Sequence, residues 1–433
     1  MTSHDEIRVS GRTEHSGIGR NEPSVSGRNE LSVIAIADAD SFVKWSAALL
    51  DAVPGIQRHL LLVRTPLTVS DGQQQVALAG TGFREQDVTR IGYDELVGWL
   101  GGRLPDVVVL AGRGPFVRLV ARQIDRLRRR PVVVSGLPGM SVPAQRGALD
   151  YRSESDLFVL HSHREQRAFA ELGRRIGVSI PTALATLPYA VPASTQVVVE
   201  QRVVARELVR AGASSEVGDV VTRESSSPAS IDSPVVGASP RGKRPHATDL
   251  VFAAQALVPA ERSERETLAQ MLRRAAEANP SRRVVIKMRS KPGEAETHLE
   301  RDAYAELLER RPANLVFSYE PMATALARAE GLVTVSSTAA VEAIACGVPV
   351  IALDTFGVHK PLLNTVFVGS GLLGGAEEVI ARRFRHPHPD WMRDNYFHAP
   401  DESTWWDRVE ELVALRRGGQ LPARTVPSAR GGA

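Results

Sequence analysis

The fold is decided by the stretch Gly331-Leu-Val-Thr-Val-Ser-Ser-Thr-Ala-Ala-Val-Glu-Ala-Ile-Ala-Cys-Gly-Val-Pro-Val-Ile351. Its pattern predicts a buried strand that ends at Val335, a helix of small residues from Ala339 to Cys346, and a second strand from Val348 to Leu353. Gly347 fits the position just past a helix end. Strand, helix and strand in this order are typical of one unit of a parallel α/β sheet.

The same alternation of β-branched runs and helical stretches extends in both directions along the chain. It predicts the strands Leu31–Ile36, His59–Val63, Asp106–Leu110, Pro131–Val134, Asp156–Leu160, Asp249–Ala253, Arg283–Met288 and Asn314–Ser318. Such alternation indicates a parallel sheet covered by helices on both faces. The predicted fold class is therefore α/β, with two Rossmann-like doubly wound domains, each built on its own sheet.

Changes in composition divide the chain into six segments. Residues 1–30 are polar and aperiodic, which predicts a disordered N-terminus. Residues 31–191 and 249–400 form the two Rossmann-like domains, and the Ser-, Pro- and Gly-rich residues 192–248 form a flexible interdomain insertion. A helix within residues 401–417 carries two tryptophans, and residues 418–433 form a disordered tail.

Composition narrows the class of protein. The chain of 433 residues has 43% hydrophobic residues, 24% charged residues and a single cysteine, Cys346. One cysteine excludes an internal disulfide and suits a reducing compartment, and neither a signal peptide nor a membrane-spanning run is evident. These features predict a cytoplasmic protein. A net charge of +3 is too small to indicate nucleic acid as a partner, but it leaves an anionic ligand or peripheral membrane contact open.

The residues Ser336, Ser337 and Thr338 stand where the predicted strand meets the helix. In an open α/β sheet, ligands bind beyond the carboxyl ends of the strands, and a helix start offers free N–H groups. Three hydroxyls at that place suit a phosphate or diphosphate, and Glu342, one turn into the helix, suits the hydroxyls of a ribose. The alternative is that Ser337 is only a helix cap and Glu342 a solvated residue.

Two cations strengthen the phosphate interpretation. Lys287 and Arg289 lie two residues apart at the end of a predicted strand, so both side chains point to the same face. Gln255 follows the strand Asp249–Ala253 and is placed to contact a base or a sugar. Ordinary surface charge is the alternative for the two cations, and a capping role is the alternative for Gln255.

These residues carry a resemblance to a known family. The segment from Thr334 to Ile351 resembles the donor-binding segment of GT-B glycosyltransferases, especially bacterial capsule and surface-polysaccharide transferases. The run Ile36-Ala-Asp-Ala-Asp-Ser-Phe-Val-Lys-Trp45 and the turn Gly136-Leu-Pro-Gly139 are similar to a bacterial set of such enzymes. The resemblance implies that residues 31–191 bind the acceptor and residues 249–400 bind a nucleotide-sugar donor. It also implies that the helix in 401–417 crosses back onto the first domain.

The resemblance implies a glycan or lipid-linked acceptor and a base on the first domain that deprotonates its hydroxyl. Asp38 and Asp40 follow the first strand; Asp40 or Ser41 is expected to cap the next helix, which leaves Asp38 as the better base. His161 and Glu165, after the strand Asp156–Leu160, form a second candidate pair, although a histidine at a strand end is more often structural.

Other interpretations remain open. Asp38-Ala-Asp40 also matches a metal-binding Asp-x-Asp motif, but its place after the first strand favours no metal site and no cofactor beyond the nucleotide sugar. A nucleotide-sugar 2-epimerase and a non-catalytic nucleotide-sugar-binding protein are the alternatives to a transferase. The arginines Arg122, Arg126, Arg128, Arg129 and Arg130 suit a solvated face or a site for anionic lipid or polysaccharide.

Overall fold

A computed structural model describes residues 30–66, 69–190, 247–288 and 302–422. The predictions for residues 1–29, for nearly all of the 192–248 insertion, for Arg289 and for residues 423–433 lie outside this part of the chain.

The first lobe is built on a seven-stranded parallel sheet. Its strands are β1 (Leu31–Ala37), β2 (Ile56–Val63), β3 (Val88–Ile91), β4 (Val107–Ala111), β5 (Val132–Gly136), β6 (Leu157–Leu160) and β7 (Thr182–Leu184). Their order across the sheet is β3-β2-β1-β4-β5-β6-β7, so the topology reverses between β1 and β4. The central strands are buried along nearly their whole length, which explains why they read as continuous apolar runs.

Helices cover both faces of this first sheet. They are α1 (Asp40–Asp51), α2 (Asp71–Leu78), α3 (Leu96–Arg103), α4 (Gly114–Ile124), α5 (Arg146–Arg152) and α6 (His163–Ile176), with a 3₁₀ turn at Pro188–Ala190. The helix α1 begins at Asp40, and its N-cap is Ala39, which makes no side-chain capping bond. The expectation that Asp40 or Ser41 caps this helix is therefore wrong, because both lie inside the first turn.

The second lobe repeats the plan with six parallel strands. They are β8 (Asp249–Ala253), β9 (Val284–Lys287), β10 (Leu315–Ser318), β11 (Ala329–Thr334), β12 (Val350–Leu353) and β13 (Leu373–Gly374). Their order is β10-β9-β8-β11-β12-β13, with the reversal between β8 and β11. Two parallel α/β sheets, each with one reversal point, confirm the predicted fold class.

The helices of the second lobe vary in length. They are α7 (Arg262–Glu277), α8 (Tyr304–Leu307), α9 (Met322–Ala327), α10 (Ala339–Ala345), α11 (Ala376–Ile380) and α12 (Pro389–Asp394). The helix α10 is the one predicted from the opening stretch, and Gly347, at φ +66°, ends it in the left-handed conformation that favours glycine.

The last helix returns to the first lobe. This helix, α13 (Trp405–Arg417), packs on β5 and β7, and the Thr404 N–H just before it donates to the Leu184 carbonyl at 2.9 Å. Its buried face consists of Trp405, Val409, Leu412 and Val413. The predicted crossover helix is thereby confirmed.

Apolar packing continues from one lobe to the other. A single cluster of buried side chains includes Trp45 and Val134 of the first lobe together with Val341 and Val350 of the second. Among the described residues, no helix is both long and apolar enough to cross a membrane.

Candidate functional site

A cavity of about 1360 Å³ lies between the two lobes. The first lobe contributes Asp40, Lys44, the loop Leu137–Ser141 and Tyr189 to its lining, and the second lobe contributes Gln255, Lys287, Ser336–Ala339 and Glu342. Most of these residues follow the carboxyl ends of β1, β5, β8, β9 and β11. Ligands of doubly wound sheets bind at this edge.

The three hydroxyl residues before α10 are held in an ordered turn. The Ser336 N–H donates to Gln255 Oε1 at 2.9 Å, and Gln255 Nε2 donates to Ser336 Oγ at 3.2 Å. Thr334 Oγ1 accepts from the Ser337 N–H at 3.0 Å. These bonds tie β11 to the loop after β8, so the hydroxyls project from a fixed backbone.

The capping interpretation of Ser337 is partly correct. Ser337 Oγ accepts from the Ala339 N–H at 3.2 Å, whereas the N-cap itself is Thr338, which makes no side-chain capping bond. Because α10 has only seven residues, its dipole is weak, and the polar character of the cavity comes mainly from side chains.

Lys287 supplies positive charge to the same wall. It is the last residue of β9 and lines the cavity, with its ammonium donating to the carbonyl of Met288. Arg289, its predicted partner, lies outside the described residues.

Arg265 supports the Gln255 loop from behind. This guanidinium is 1% exposed and donates to the carbonyl of Gln255 at 3.1 Å and to the carbonyl of Asp302 at 2.9 Å. It also lies over the Tyr304 ring at 4.5 Å. The N–H groups of this buried arginine donate to backbone carbonyls, and these bonds fix the loop that places Gln255 at the cavity.

Glu342 contacts the first lobe directly. Its Oε1 atom forms an ion pair with Lys44 Nζ at 2.7 Å, and Lys44 also lies over the Tyr189 ring at 4.5 Å. Burial raises the pKa of Tyr189 well above its ordinary value, and the negative charges of Glu342 and Asp40 act in the same direction. Carboxylates of both lobes therefore surround the Tyr189 hydroxyl.

The backbone of the first lobe closely approaches the turn Ser336–Thr338, called the hydroxyl turn below. A Cβ atom added at Gly139 would lie 2.4 Å from Thr338 Oγ1. The loop Gly136–Gly139, a tight turn in sequence, thus forms a close contact between the lobes, where an added Cβ would require the Thr338 hydroxyl to move.

The two predicted aspartates have different surroundings. Asp38 is 1% exposed, and its carboxylate accepts from Arg113 Nε at 2.9 Å and from the Arg113 N–H at 3.2 Å. It does not line the cavity, whereas Asp40 does. Of the two aspartates, Asp40 is therefore the one that faces the cavity.

His161 and Glu165 are buried beneath the cavity floor. His161 Nε2 accepts from Trp45 Nε1 at 2.8 Å, so Nδ1 carries the proton and donates to the Ala185 carbonyl at 2.9 Å. Burial lowers the pKa of His161 to about 4, against the hydrogen bond to Ala185. Both ring nitrogens therefore have hydrogen-bond partners within the protein.

Glu165 joins three parts of the molecule. Its carboxyl group accepts from the Ser141 N–H, the His161 N–H and the Tyr396 hydroxyl, each at 2.8 Å. Burial raises its pKa to about 7, against these hydrogen bonds. Glu165 thus anchors the loop that carries Gly139 without reaching the cavity.

Sequence reasoning missed Lys44, Tyr189 and Arg265. Lys44 lies one turn after Asp40 in α1, so both lie on one face of the helix. This spacing could have identified Lys44 from the sequence. No local pattern points to Tyr189 or Arg265, because their roles depend on contacts with segments distant in sequence.

The comparisons with known proteins agree on the fold. S. aureus MnaA in its co-structure with UDP is 11% identical, with a TM-score of 0.53 over 93% of this chain and 100% of that one. The Methanocaldococcus jannaschii UDP-GlcNAc 2-epimerase in complex with UDP-GlcNAc and UDP is 14% identical, with a TM-score of 0.53 over 88% and 99%. The Rickettsia bellii UDP-N-acetylglucosamine 2-epimerase is 11% identical, with a TM-score of 0.52 over 90% and 98%. At these identities the likeness shows the two-lobed GT-B fold alone.

No curated protein matches the sequence. A family model does match, and it covers residues 33–412 and so spans both lobes and most of α13. The chain belongs to the family described as "Putative glycosyltransferase (DUF6716)".

Proposed function

We propose that the protein transfers a sugar from a nucleotide-sugar donor to a hydroxyl of a glycan or lipid-linked acceptor, in the synthesis of cell-surface polysaccharide or glycoconjugate. Membership of a glycosyltransferase family supports the reaction class. The observation that carries the proposal is the cavity between the lobes, where the hydroxyl turn and Lys287 of the second lobe face Asp40 of the first.

The donor diphosphate lies against Ser336, Ser337 and Lys287 in this proposal. Hydroxyl and ammonium donors at one wall suit anionic oxygens, since charge-assisted hydrogen bonds are stronger than neutral ones. Solved structures of the same fold hold UDP or UDP-GlcNAc, which supports a nucleoside diphosphate as the ligand class. In this proposal Glu342 accepts hydrogen bonds from the ribose hydroxyls after its ion pair with Lys44 is broken.

The chemistry is a substitution at the anomeric carbon. The bond from this carbon to the phosphate oxygen breaks, and its electron pair leaves with the phosphate, where Lys287 and the serine hydroxyls stabilise the charge. The acceptor oxygen forms the new bond, and its proton passes to Asp40. Among the predicted bases, Asp40 is favoured because it lines the cavity, whereas Asp38, His161 and Glu165 are buried and do not.

We propose that the reaction needs no metal held by Asp38-Ala-Asp40. Both oxygens of Asp38 accept hydrogen bonds from Arg113, so this carboxylate is not available as a ligand. Within the described residues, no group of three or more His, Cys, Asp or Glu side chains could hold a metal ion.

Nucleotide-sugar binding and turnover test the proposal. A panel of nucleotide sugars is screened by thermal shift, and the best binder is then assayed for donor hydrolysis and for transfer. We expect one nucleotide class to stabilise the protein and the double variant Ser337→Ala/Lys287→Ala to lose that stabilisation. The matched control is Thr267→Ala/Lys360→Ala, which removes the same groups from exposed positions.

The outcomes separate the alternatives. Release of free nucleotide together with a glycosylated acceptor supports the transferase. Conversion of the nucleotide sugar without an acceptor would indicate an epimerase, and binding without turnover would indicate a non-catalytic binding protein. Absence of binding across the panel contradicts the donor site itself.

A further inference from the structure

A basic surface lies at the amino-terminal edge of the first sheet, at the opposite strand ends from the cavity. It is formed where α3 ends, where the chain runs from α4 to β5, and where α13 ends. This surface, called the basic face below, consists of the exposed residues Arg103, Arg126, Arg128, Arg129 and Arg417, together with Leu104. The side chain of Arg416 is only 6% exposed and is not itself part of the surface.

Contacts through Arg416 make the basic face continuous. Arg416 Nε donates to the Arg130 carbonyl at 2.7 Å, and Arg416 Nη2 donates to the Pro105 carbonyl at 3.3 Å. The end of α13 therefore touches both the loop before β5 and the loop before β4. Burial lowers the pKa of Arg416, and the positive charges of Arg129 and Arg417 act in the same direction, against Asp106. Three segments distant in sequence thus bring their arginines together.

Two carboxylates near the basic face are paired with arginines. Asp106 Oδ1 accepts from Arg416 at 3.0 Å, and Asp156 accepts from Arg130 at 2.7 Å. By contrast, Arg128 and Arg129 are exposed and form no ion pair with any residue in the described ranges. Since the whole chain has a net charge of only +3, this concentration of arginines is a local feature and not a general property of the surface.

An apolar side chain stands among these charges. Leu104 is 49% exposed and takes φ +46° at the end of α3, a left-handed conformation that is uncommon for leucine. Its sequence neighbour Arg103 lies over the Trp99 ring at 3.7 Å, which fixes the position of that guanidinium. An exposed leucine on a basic surface matches the interface of a bilayer, where acyl chains meet lipid phosphates.

We propose that the basic face docks the protein on a membrane of anionic phospholipid, with Leu104 entering the interface and the arginines contacting lipid phosphates. The proposal is independent of the donor site, because the basic face and the cavity lie at opposite edges of the first sheet. A membrane is preferred over a soluble polyanion as the partner, because a polyanion offers no apolar group for Leu104 to contact.

Vesicle flotation tests the proposal with the full chain. We expect binding to vesicles that contain phosphatidylglycerol, no binding to pure phosphatidylcholine, and loss of binding at high salt. Arg128→Glu/Arg129→Glu should weaken binding by at least about tenfold, because each basic residue near an anionic surface adds substantially to the attraction. Leu104→Ser should weaken binding by a few-fold and leave its salt dependence in place.

Matched controls use exposed residues of the second lobe. Arg274→Glu/Arg310→Glu makes the same change of charge, and Val368→Ser removes an apolar side chain that is 52% exposed. Nucleotide binding and thermal unfolding are expected to be unchanged in all variants. The proposal is overturned if anionic vesicles do not bind, or if the controls weaken binding as much as the basic-face variants. It is also overturned if soluble polyphosphate competes fully while Leu104→Ser has no effect.

Discussion

His161 and Glu165 are neighbouring buried groups whose pKa values are displaced in opposite directions. The pKa of His161 falls to about 4 and that of Glu165 rises to about 7, in both cases because burial disfavours the charged form. Each shift makes folding stability depend on pH. Sequence reasoning placed both residues at the right strand end, but it could not tell a catalytic position from a buried one.

The first prediction concerns Glu165. Its folded-state pKa lies above the unfolded value, so its stabilising contribution is fully present below pH 4.5 and is lost as pH rises through about 7. The stability advantage of the wild type over Glu165→Gln should therefore shrink by roughly 3 kcal/mol across that window. Urea unfolding of both proteins at several pH values measures it.

The pH dependence expected for His161 has the opposite sign. Its folded-state pKa lies below 6.5, so its contribution is present above pH 6.5 and is lost as pH falls through about 4. The advantage of the wild type over His161→Asn should grow with pH in this range. Parallel curves for wild type and both variants would contradict the assigned surroundings of the two groups.

The second prediction concerns Asp40 as the base. Asp40→Asn removes the proton acceptor but keeps the size of the side chain, so turnover should fall by roughly 10²- to 10⁴-fold while donor affinity stays within a few-fold. Steady-state transfer and calorimetric donor binding measure the two effects. The matched control Asp401→Asn changes an exposed residue outside the cavity and should leave both unchanged. Full transfer by Asp40→Asn would remove this residue as the base.

At the scale of elements, the Gly136–Gly139 loop of the first lobe lies against Thr338 at the start of α10 in the second. A methyl group at Gly139 would meet Thr338 Oγ1 at 2.4 Å. The third prediction is that Gly139→Ala lowers the free energy of unfolding by about 1–3 kcal/mol through overpacking. Chemical denaturation measures this cost.

A second substitution tests the cause of that loss. In a Thr338→Ala background the obstructing oxygen is absent, so Gly139→Ala should cost much less. Gly102→Ala is the matched control, because nothing lies within 4 Å of an added Cβ there. An equal cost of Gly139→Ala with and without Thr338 would show that the contact does not limit the packing.

The helix α13 gives the fourth prediction. Leu412 is 3% exposed against the first lobe, so Leu412→Ala should destabilise the protein by about 2–5 kcal/mol. Glu411→Ala, on the exposed side of the same helix, should cost only a few tenths of a kcal/mol. Urea unfolding followed by circular dichroism measures both variants. Equal stability of the two variants would contradict the packing of α13 on the first sheet.

Periodicity predicted the central elements well and the peripheral ones poorly. The strands β1, β4, β5, β8 and β11 are buried apolar runs, and a buried run is visible in sequence. The edge strand β3 and the short strand β7 were missed because they are brief and partly polar.

At the scale of the whole molecule, the ion pair between Lys44 and Glu342 joins the two lobes across the cavity. Both side chains are partly exposed, at 40% and 20%, so the pair contributes less than about 1 kcal/mol to stability. Its importance lies in geometry, because Glu342 lines the cavity from the second lobe and Lys44 lines it from the first. Sequence could not predict this pair, since its members are separated by nearly the whole span of both domains.

The fifth prediction follows from that ion pair. Lys44→Glu puts a carboxylate against Glu342, so the free energy of unfolding in low salt should fall by about 1 kcal/mol or less, because the pair is partly exposed. The charge swap Lys44→Glu/Glu342→Lys should restore the wild-type stability, and high salt should reduce the difference. Urea unfolding of the three proteins measures these effects, and equal stability of the wild type and Lys44→Glu in low salt would show that the pair does not contribute.

The central claim is that the hydroxyl turn and Lys287 bind the diphosphate of a nucleotide sugar in the cavity between the lobes. A crystal structure of the protein with the nucleoside diphosphate selected by the thermal-shift panel tests it most directly. The account predicts phosphate density within hydrogen-bond distance of Ser336, Ser337 or Lys287, with the ribose beside Glu342. Density for the nucleotide away from this wall, with the cavity empty, would contradict it.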